Sequence, residues 1–167
     1  MQVLARSTIV AAILASSLLT PKHVVSAAGT WTWPVVGPVI RAFDPPDSPF
    51  GAGHRGIDIA AVAGTTAVAP ADGTVTFAGP VGGRLFLTID HGGGLESTFS
   101  WVGSLLVRRG DTVTRGLAVA TTGGGHTGDA IANLHLGVRL HDVYVDPLDY
   151  LEPLDLAILI RLAPLVA

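Results

Sequence analysis

The segment ANLHLGVRLHD, residues 132–142, has the pattern that decides the fold. Leu134, Leu136 and Val138 alternate with polar residues or glycine, which is the period of a β-strand with two different faces. One face is apolar and belongs to a core, whereas the other carries an amide, an imidazole, a glycine and a guanidinium. Whether that second face is solvated surface or lines a site depends on which residues the fold brings beside it.

The chain between residues 51 and 143 consists of short apolar runs separated by glycine, without a sustained 3.6-residue period between helix caps. This pattern predicts an all-β domain with a small antiparallel β-sandwich or barrel-like core and an extended N-terminal arm. The predicted strands are 66–69, 73–78, 85–90, 95–99, 104–107, 117–121 and 134–140. Loops are expected at RRGD (108–111) and TTGGGHTGD (121–129) because of their composition.

Residues 1–28 have the features of a signal peptide. A short positive start precedes the apolar run 7–20, and small residues at 25–28 supply a cleavage site. An uncleaved anchor is the alternative, because Lys22 follows the apolar run closely. We therefore expect the mature protein to be secreted or in the cell envelope, outside the cytoplasmic membrane.

Three further segments complete the predicted organisation. Residues 29–50 are rich in proline and tryptophan and predict an extended arm, since DPPDSP (44–49) suits neither a helix nor a central strand. Residues 51–152 form the predicted β domain. The apolar tail, 153–167, is too short to span a bilayer, so we expect it to pack on the domain, with a membrane or partner contact as the alternative.

Composition excludes several classes of function. The formal net charge is −3 and no block of lysine or arginine occurs, which argues against nucleic acid as a partner. The chain has no cysteine, so disulfide frameworks, thiol catalysis and thiolate metal sites are excluded.

The segment GAGHRGID, residues 51–58, places His54 four residues before Asp58. A regular strand would hold them ~13 Å apart at ~3.3 Å per residue, whereas ligands of one zinc ion lie within about 2.0–2.2 Å of it. The chain must therefore bend between them if both residues bind one ion, and Gly56 permits such a bend. Alone, the pair is more typical of a surface histidine and a turn aspartate. Together with His135 it gives two imidazoles and one carboxylate, a set suited to a catalytic zinc with an open position.

Five blocks of the sequence resemble the lysostaphin/LytM-type zinc endopeptidases, which cut peptide cross-bridges or stems of bacterial peptidoglycan on a small antiparallel β core. The blocks are GHRGID (53–58), GTTAVAPADGTVTFAG (64–79), LTIDHGGG (87–94), VRRGDTVTRG (107–116) and NLHLGVR (133–139). Their order matches the family from about residue 35 to 150. The resemblance implies zinc as cofactor, His54, Asp58 and His135 as its ligands, and peptidoglycan or a cell-wall hydrolase as partner.

The sequence departs from the family at two positions. The family's remaining histidine pair, which activates the attacking water and stabilises the developing oxyanion, aligns with Asn133 and Trp101. Neither residue exchanges a proton near neutral pH. General acid–base catalysis typically raises the reaction rate about 10²–10⁴-fold, and one hydrogen-bond donor to the oxyanion raises it about 10²–10³-fold. The resemblance therefore implies a weak or inactive hydrolase that binds peptidoglycan or regulates cell-wall remodelling.

Several alternatives stay open at this point. His126, in the GGGHTG loop, is either a substitute base in an active endopeptidase or an exposed loop residue. Trp101 either fills the core or pocket or offers a platform for a glycan ring. Arg139 shares a strand face with His135 and either steers a substrate carboxylate or is a surface arginine. Glu96 is a weaker candidate base. The remaining hypothesis is a purely structural protein that binds no metal, in which His54, Asp58 and His135 are retained without a function.

Overall fold

The structure, a computed structural model, describes residues 30–48, 51–126 and 129–154. In these residues the chain forms ten β-strands, one 3-10 turn (Pro147–Asp149) and no α-helix. The strands are β1 (Val39–Arg41), β2 (Ile57–Ala60), β3 (Thr66–Val68), β4 (Gly73–Val81), β5 (Arg84–Asp90), β6 (Leu95–Leu105), β7 (Thr112–Val113), β8 (Ala118–Thr122), β9 (Asn133–Leu140) and β10 (Val143–Val145). The prediction of an all-β domain is confirmed.

The ten strands belong to one hydrogen-bonded sheet, and the named strands pair antiparallel throughout. Its main path is β1-β2-β9-β6-β5-β4-β7, while β10 pairs with β9, and β8 pairs with both β6 and β3. The path does not return to its first strand, so the sheet is not closed into a barrel. Because β9 lies between β2 and β6, residues from three distant parts of the sequence come together at the centre of the sheet.

Strand β6 differs most from the sequence-based prediction. The sequence predicts separate strands at 95–99 and 104–107, but pairing continues from Leu95 to Leu105 as one strand. Trp101 is an extra residue in this strand, because Ser100 pairs with Phe86 while Val102 pairs with Leu85. Its φ of 56° is that of a bulge, which lets the strand bend without ending.

The core confirms the alternation in β9. Leu134, Leu136 and Val138 are fully buried and pack with Phe99 of β6. The intervening residues of β9 from Asn133 to Gly137 are buried as well, so the polar face of this strand is not a solvated surface. It lies under other parts of the chain and forms the floor of the candidate site.

The N-terminal arm contributes to the core. Trp31 is completely buried, with its ring 4.5 Å from that of His91 and 5.3 Å from that of Tyr150. Its backbone forms a bridge with Leu151, which ties the arm to the end of the described chain. The predicted signal peptide and residues 155–167 of the predicted tail lie outside the described residues. Within the described ranges, no helix has the length and apolar character of a membrane span.

Candidate metal centre

Two neighbouring strands position the predicted ligands. Asp58 of β2 and His135 of β9 are direct partners in the sheet register, so their side chains meet. His54 precedes β2 and is held by a bridge with Asp44, formed by hydrogen bonds in both directions between their backbones. Long-range pairing, together with a bend before β2, brings the three side chains together.

Gly56 allows the chain to bend closely against β9. A Cβ atom at this position would lie 2.3 Å from the carbonyl oxygen of Leu136 and 2.9 Å from Nε2 of His135. These distances are too short for any side chain. Glycine is therefore required here because two backbones approach each other, and Gly56 does not have a positive φ.

We expect Gly56→Ala to destabilise the fold and to weaken zinc binding. The new methyl group must push β2 away from β9, and overpacking of this kind typically costs about 1–3 kcal/mol. Displaced ligands should bind zinc roughly 10–100-fold more weakly, as when residues that support metal ligands are mutated. Urea unfolding in EDTA and a zinc titration measure the two effects.

The matched control for that experiment is Gly79→Ala. A Cβ at Gly79 would meet Phe77 at 3.6 Å, an ordinary contact, and this part of β4 is remote from the candidate ligands. Equal stability and equal zinc affinity of Gly56→Ala and Gly79→Ala would show that the close approach of Gly56 to Leu136 does not constrain the site.

Four potential donor atoms converge in this region. Oδ1 of Asp58 lies 2.8 Å from Nδ1 of His135 and 3.1 Å from Nε2 of His54, and these two nitrogens are 3.1 Å apart. Nε2 of His126 lies 3.5 Å from the same Oδ1, and all four atoms are within 4.8 Å of one another. The expected convergence of the first three residues is therefore present, while their role as ligands remains a prediction.

The chemistry of this donor set fits a zinc ion. Nδ1 of His54 lies 2.8 Å from the carbonyl oxygen of Ala42, which only accepts, so Nδ1 carries the hydrogen. In the neutral ring, Nε2 then presents a lone pair toward Oδ1 of Asp58, which is also an acceptor. A cation between the two resolves this conflict. Donation of the other ring N–H to a backbone carbonyl is typical of zinc-binding histidines.

The pKa shifts favour the unprotonated forms of two of these groups. Burial alone would raise the pKa of Asp58, but the hydrogen bond and charge of His135, with the charges of His54 and His126, lower it overall. Burial, together with the charges of His54 and His126, lowers the pKa of His135 overall, although the hydrogen bond and charge of Asp58 act to raise it. Both directions suit metal binding, which needs a carboxylate and a neutral imidazole.

Asn133, one of the two residues that the resemblance aligns with a family histidine, is buried beside the donor cluster. Its Nδ2 donates hydrogen bonds to Oδ2 of Asp129 at 2.8 Å and to the carbonyl oxygen of Ile131 at 3.0 Å. Both amide hydrogens are therefore engaged. Its Oδ1 is buried and has no hydrogen-bond partner among the described residues.

Trp101, the other residue that the resemblance aligns with a family histidine, is half-buried at the site and is not part of the main core. The centre of its ring lies 3.8 Å from that of His126 and 5.6 Å from that of His135. The bulge in β6 directs it there. The indole thus occupies the space over the donor cluster.

The remaining predicted residues lie farther along the same strands. Arg139 forms an ion pair with Glu96, its direct partner in the register between β9 and β6. These two candidate site residues therefore pair with each other. His126, in contrast, belongs to the donor cluster and is not a plain exposed loop histidine.

Sequence reasoning missed Asp129. Its Oδ2 accepts hydrogen bonds from the backbone N–H of His126 and from Nδ2 of Asn133, both at 2.8 Å. The available signal was its spacing, three residues after His126 and four before Asn133. A cleft of about 260 Å³ reaches the cluster from this side and is lined by Ile40, Arg41, Asp58, Asp129, Ala130, Ile131 and Asn133.

Comparison with known proteins agrees with this geometry. The profile of Peptidase family M23 matches residues 52–147. The chain is 34% identical to Uncharacterized protein Rv2891 of Mycobacterium tuberculosis over 171 residues, which cover 98% of this chain and 66% of that protein. It is 36% identical to the Murein hydrolase activator NlpD of Escherichia coli over 124 residues, 73% of this chain and 31% of NlpD.

Among solved structures, a zinc containing peptidase from Vibrio cholerae has the same fold. It superposes with a TM-score of 0.63 at 26% identity, covering 74% of this chain and 41% of that one. This chain therefore corresponds to only part of each of these relatives. The profile match over more than half of its residues shows that the chain belongs to peptidase family M23.

Proposed function

We propose that the protein is an exported, peptidoglycan-directed M23 protein that holds zinc and is a weak or inactive hydrolase, acting by binding the cell wall or regulating its remodelling. The observation that carries this proposal is a contrast within one site. The donor atoms of His54, Asp58 and His135 converge, while the two positions at which the family exchanges protons hold Asn133 and Trp101.

The chemistry available at this site supports an impaired hydrolase. When bound, zinc acts as a Lewis acid toward a peptide carbonyl. The amide of Asn133 has both hydrogens engaged and therefore has none left for an oxyanion. The Trp101 indole has no basic nitrogen, so it cannot accept a proton. Loss of the acid–base step alone lowers the rate of hydrolysis about 10²–10⁴-fold.

The partner in this proposal is peptidoglycan or a cell-wall hydrolase. The similarity to a murein hydrolase activator supports a regulatory role over a catalytic one. The predicted signal peptide supports the cell envelope or the outside of the cell as the location.

The test is incubation of zinc-loaded protein with purified peptidoglycan sacculi. We expect little or no muropeptide release above that of a His135→Ala control, together with sedimentation of the wild-type protein with the sacculi. We also expect the protein to accelerate a purified cell-wall hydrolase. Clear cleavage of the sacculi by wild type, abolished by His135→Ala, would contradict the impaired-hydrolase proposal.

A second candidate function is an active endopeptidase in which His126 is the base. The observation that favours it is the 3.5 Å distance between Nε2 of His126 and Oδ1 of Asp58. In that case wild-type cleavage would be clear, and His126→Ala would abolish it without loss of bound zinc.

A further inference from the structure

We propose that His126 is a fourth protein ligand of the zinc site, so that the metal is held by three imidazoles and one carboxylate with no position left for substrate. The inference rests on the zinc site of the proposed function and deepens it. It also assigns a role to the two substituted positions, Trp101 and Asn133, as residues that hold His126 in place.

The environment of the His126 ring favours coordination to a metal ion. Nε2 is buried and has no hydrogen-bond partner in the part of the chain that the structure describes, although it lies among the donor atoms of the cluster. A buried polar atom without a partner is costly to the fold. The ring stands nearly perpendicular to that of His135, at 86°, with 5.3 Å between ring centres. A shared cation would satisfy Nε2 together with the other three donors.

His126 is held in place by contacts with Asp129 and Trp101. Asp129 accepts a hydrogen bond from its backbone N–H, and Asn133 in turn donates to the same carboxylate oxygen. Trp101 lies against its imidazole ring. Contacts of this kind fix the orientation of metal ligands in other proteins. Both residues that replace the family's histidines therefore support His126, directly or through Asp129.

Gly125 adds a steric requirement to this arrangement. Its φ is 82°, and a Cβ atom there would lie 2.5 Å from Nδ2 of Asn133. The backbone before His126 therefore approaches Asn133 as closely as a glycine allows.

The chemical consequence follows from coordination number. Structural zinc sites have four protein ligands, whereas catalytic sites have three and leave a position open. A third imidazole, as the fourth protein ligand, converts the family's site from the second kind to the first. Hydrolysis is then prevented by the closed coordination shell as well as by the missing histidines.

The test compares wild-type protein with His126→Ala, and with His141→Asn as the matched control. His141 is exposed, and asparagine tolerates its φ of 48°. Zinc affinity is measured by competition with a chelator. Cobalt(II) is substituted for zinc, and its visible spectrum is recorded with and without azide, a small anion that the cleft beside Asp58 admits.

We expect His126→Ala to bind zinc at least tenfold more weakly, because the loss of a residue that only supports a ligand already costs roughly 10–100-fold. The His141→Asn control should bind like wild type. Azide should leave the wild-type cobalt spectrum unchanged and should shift that of His126→Ala, in which a position is open.

Two results would overturn the inference, and they differ. Equal zinc affinity of wild type and His126→Ala, with an azide response already in wild type, would leave the three-ligand site intact and remove His126 from it. Absence of zinc binding in both proteins would instead remove the metal site itself, and with it the proposed function. The azide response of wild type requires no variant, so the test does not depend on how well His126→Ala folds.

Discussion

Replacement of Asp58 by alanine is expected to weaken zinc binding strongly and to remove most of the stability that zinc adds to the fold. Oδ1 of Asp58 is the only carboxylate atom in the donor cluster and lies within 3.5 Å of nitrogens from three histidines. Without it the cluster is left with imidazoles alone. A ligand at 100 times its Kd adds about 2.7 kcal/mol to stability, which corresponds to a rise in Tm on the order of 10 °C for a domain of this size.

The measurement is thermal unfolding with and without zinc, on wild type, Asp58→Ala and Asp149→Ala. Asp149 is an exposed aspartate in the 3-10 turn and serves as the matched control. Wild type and Asp149→Ala should gain stability with zinc, and EDTA should reverse the gain. An equal zinc-dependent rise in Asp58→Ala would exclude Asp58 as a ligand.

Replacement of Trp31 by alanine is expected to cost about 3–5 kcal/mol in the free energy of unfolding, the range for large aromatic residues removed from cores. Trp31 is completely buried, and it packs against His91 and Tyr150. Its backbone N–H donates to Tyr150, and its carbonyl oxygen accepts from Glu152. Loss of the ring therefore opens a cavity where the arm meets the end of the β domain.

The matched variant is Trp31→Phe, which keeps an aromatic ring. The indole N–H of Trp31 is buried and lacks a hydrogen-bond partner within the described ranges, so its removal should offset part of the lost packing. We expect urea unfolding in EDTA to show a much smaller loss for Trp31→Phe than for Trp31→Ala. A loss below about 1 kcal/mol for Trp31→Ala would mean that the arm is a cover and not a part of the core.

The sequence predicts β9 well because its alternation is a local property. Three buried residues at every second position define the inward face, and no distant contact is needed to see it. Strands of two or three residues, such as β7 and β10, are too short to display a period. The prediction also divided β6, because a bulge at Trp101 depends on pairing with β5 and leaves no local pattern.

The candidate site depends on long-range strand pairing more than the alternation of β9 does. Asp58 and His135 meet because β2 and β9 pair in one register, across 77 residues of sequence. The family resemblance predicted that His54, Asp58 and His135 meet. It could not supply the position of His126, which lies in a loop outside the shared blocks, or the role of Asp129, which follows from the position of His126.

The contacts of His126 with Trp101 and, through Asp129, with Asn133 make residues 101 and 133 interdependent. A histidine placed at one of these positions alone would loosen His126 without giving the second histidine that the family resemblance implies for an active enzyme. A design that aims at hydrolysis would therefore have to change both positions together, because each single variant gives up a contact of His126 and gains no partner for proton exchange.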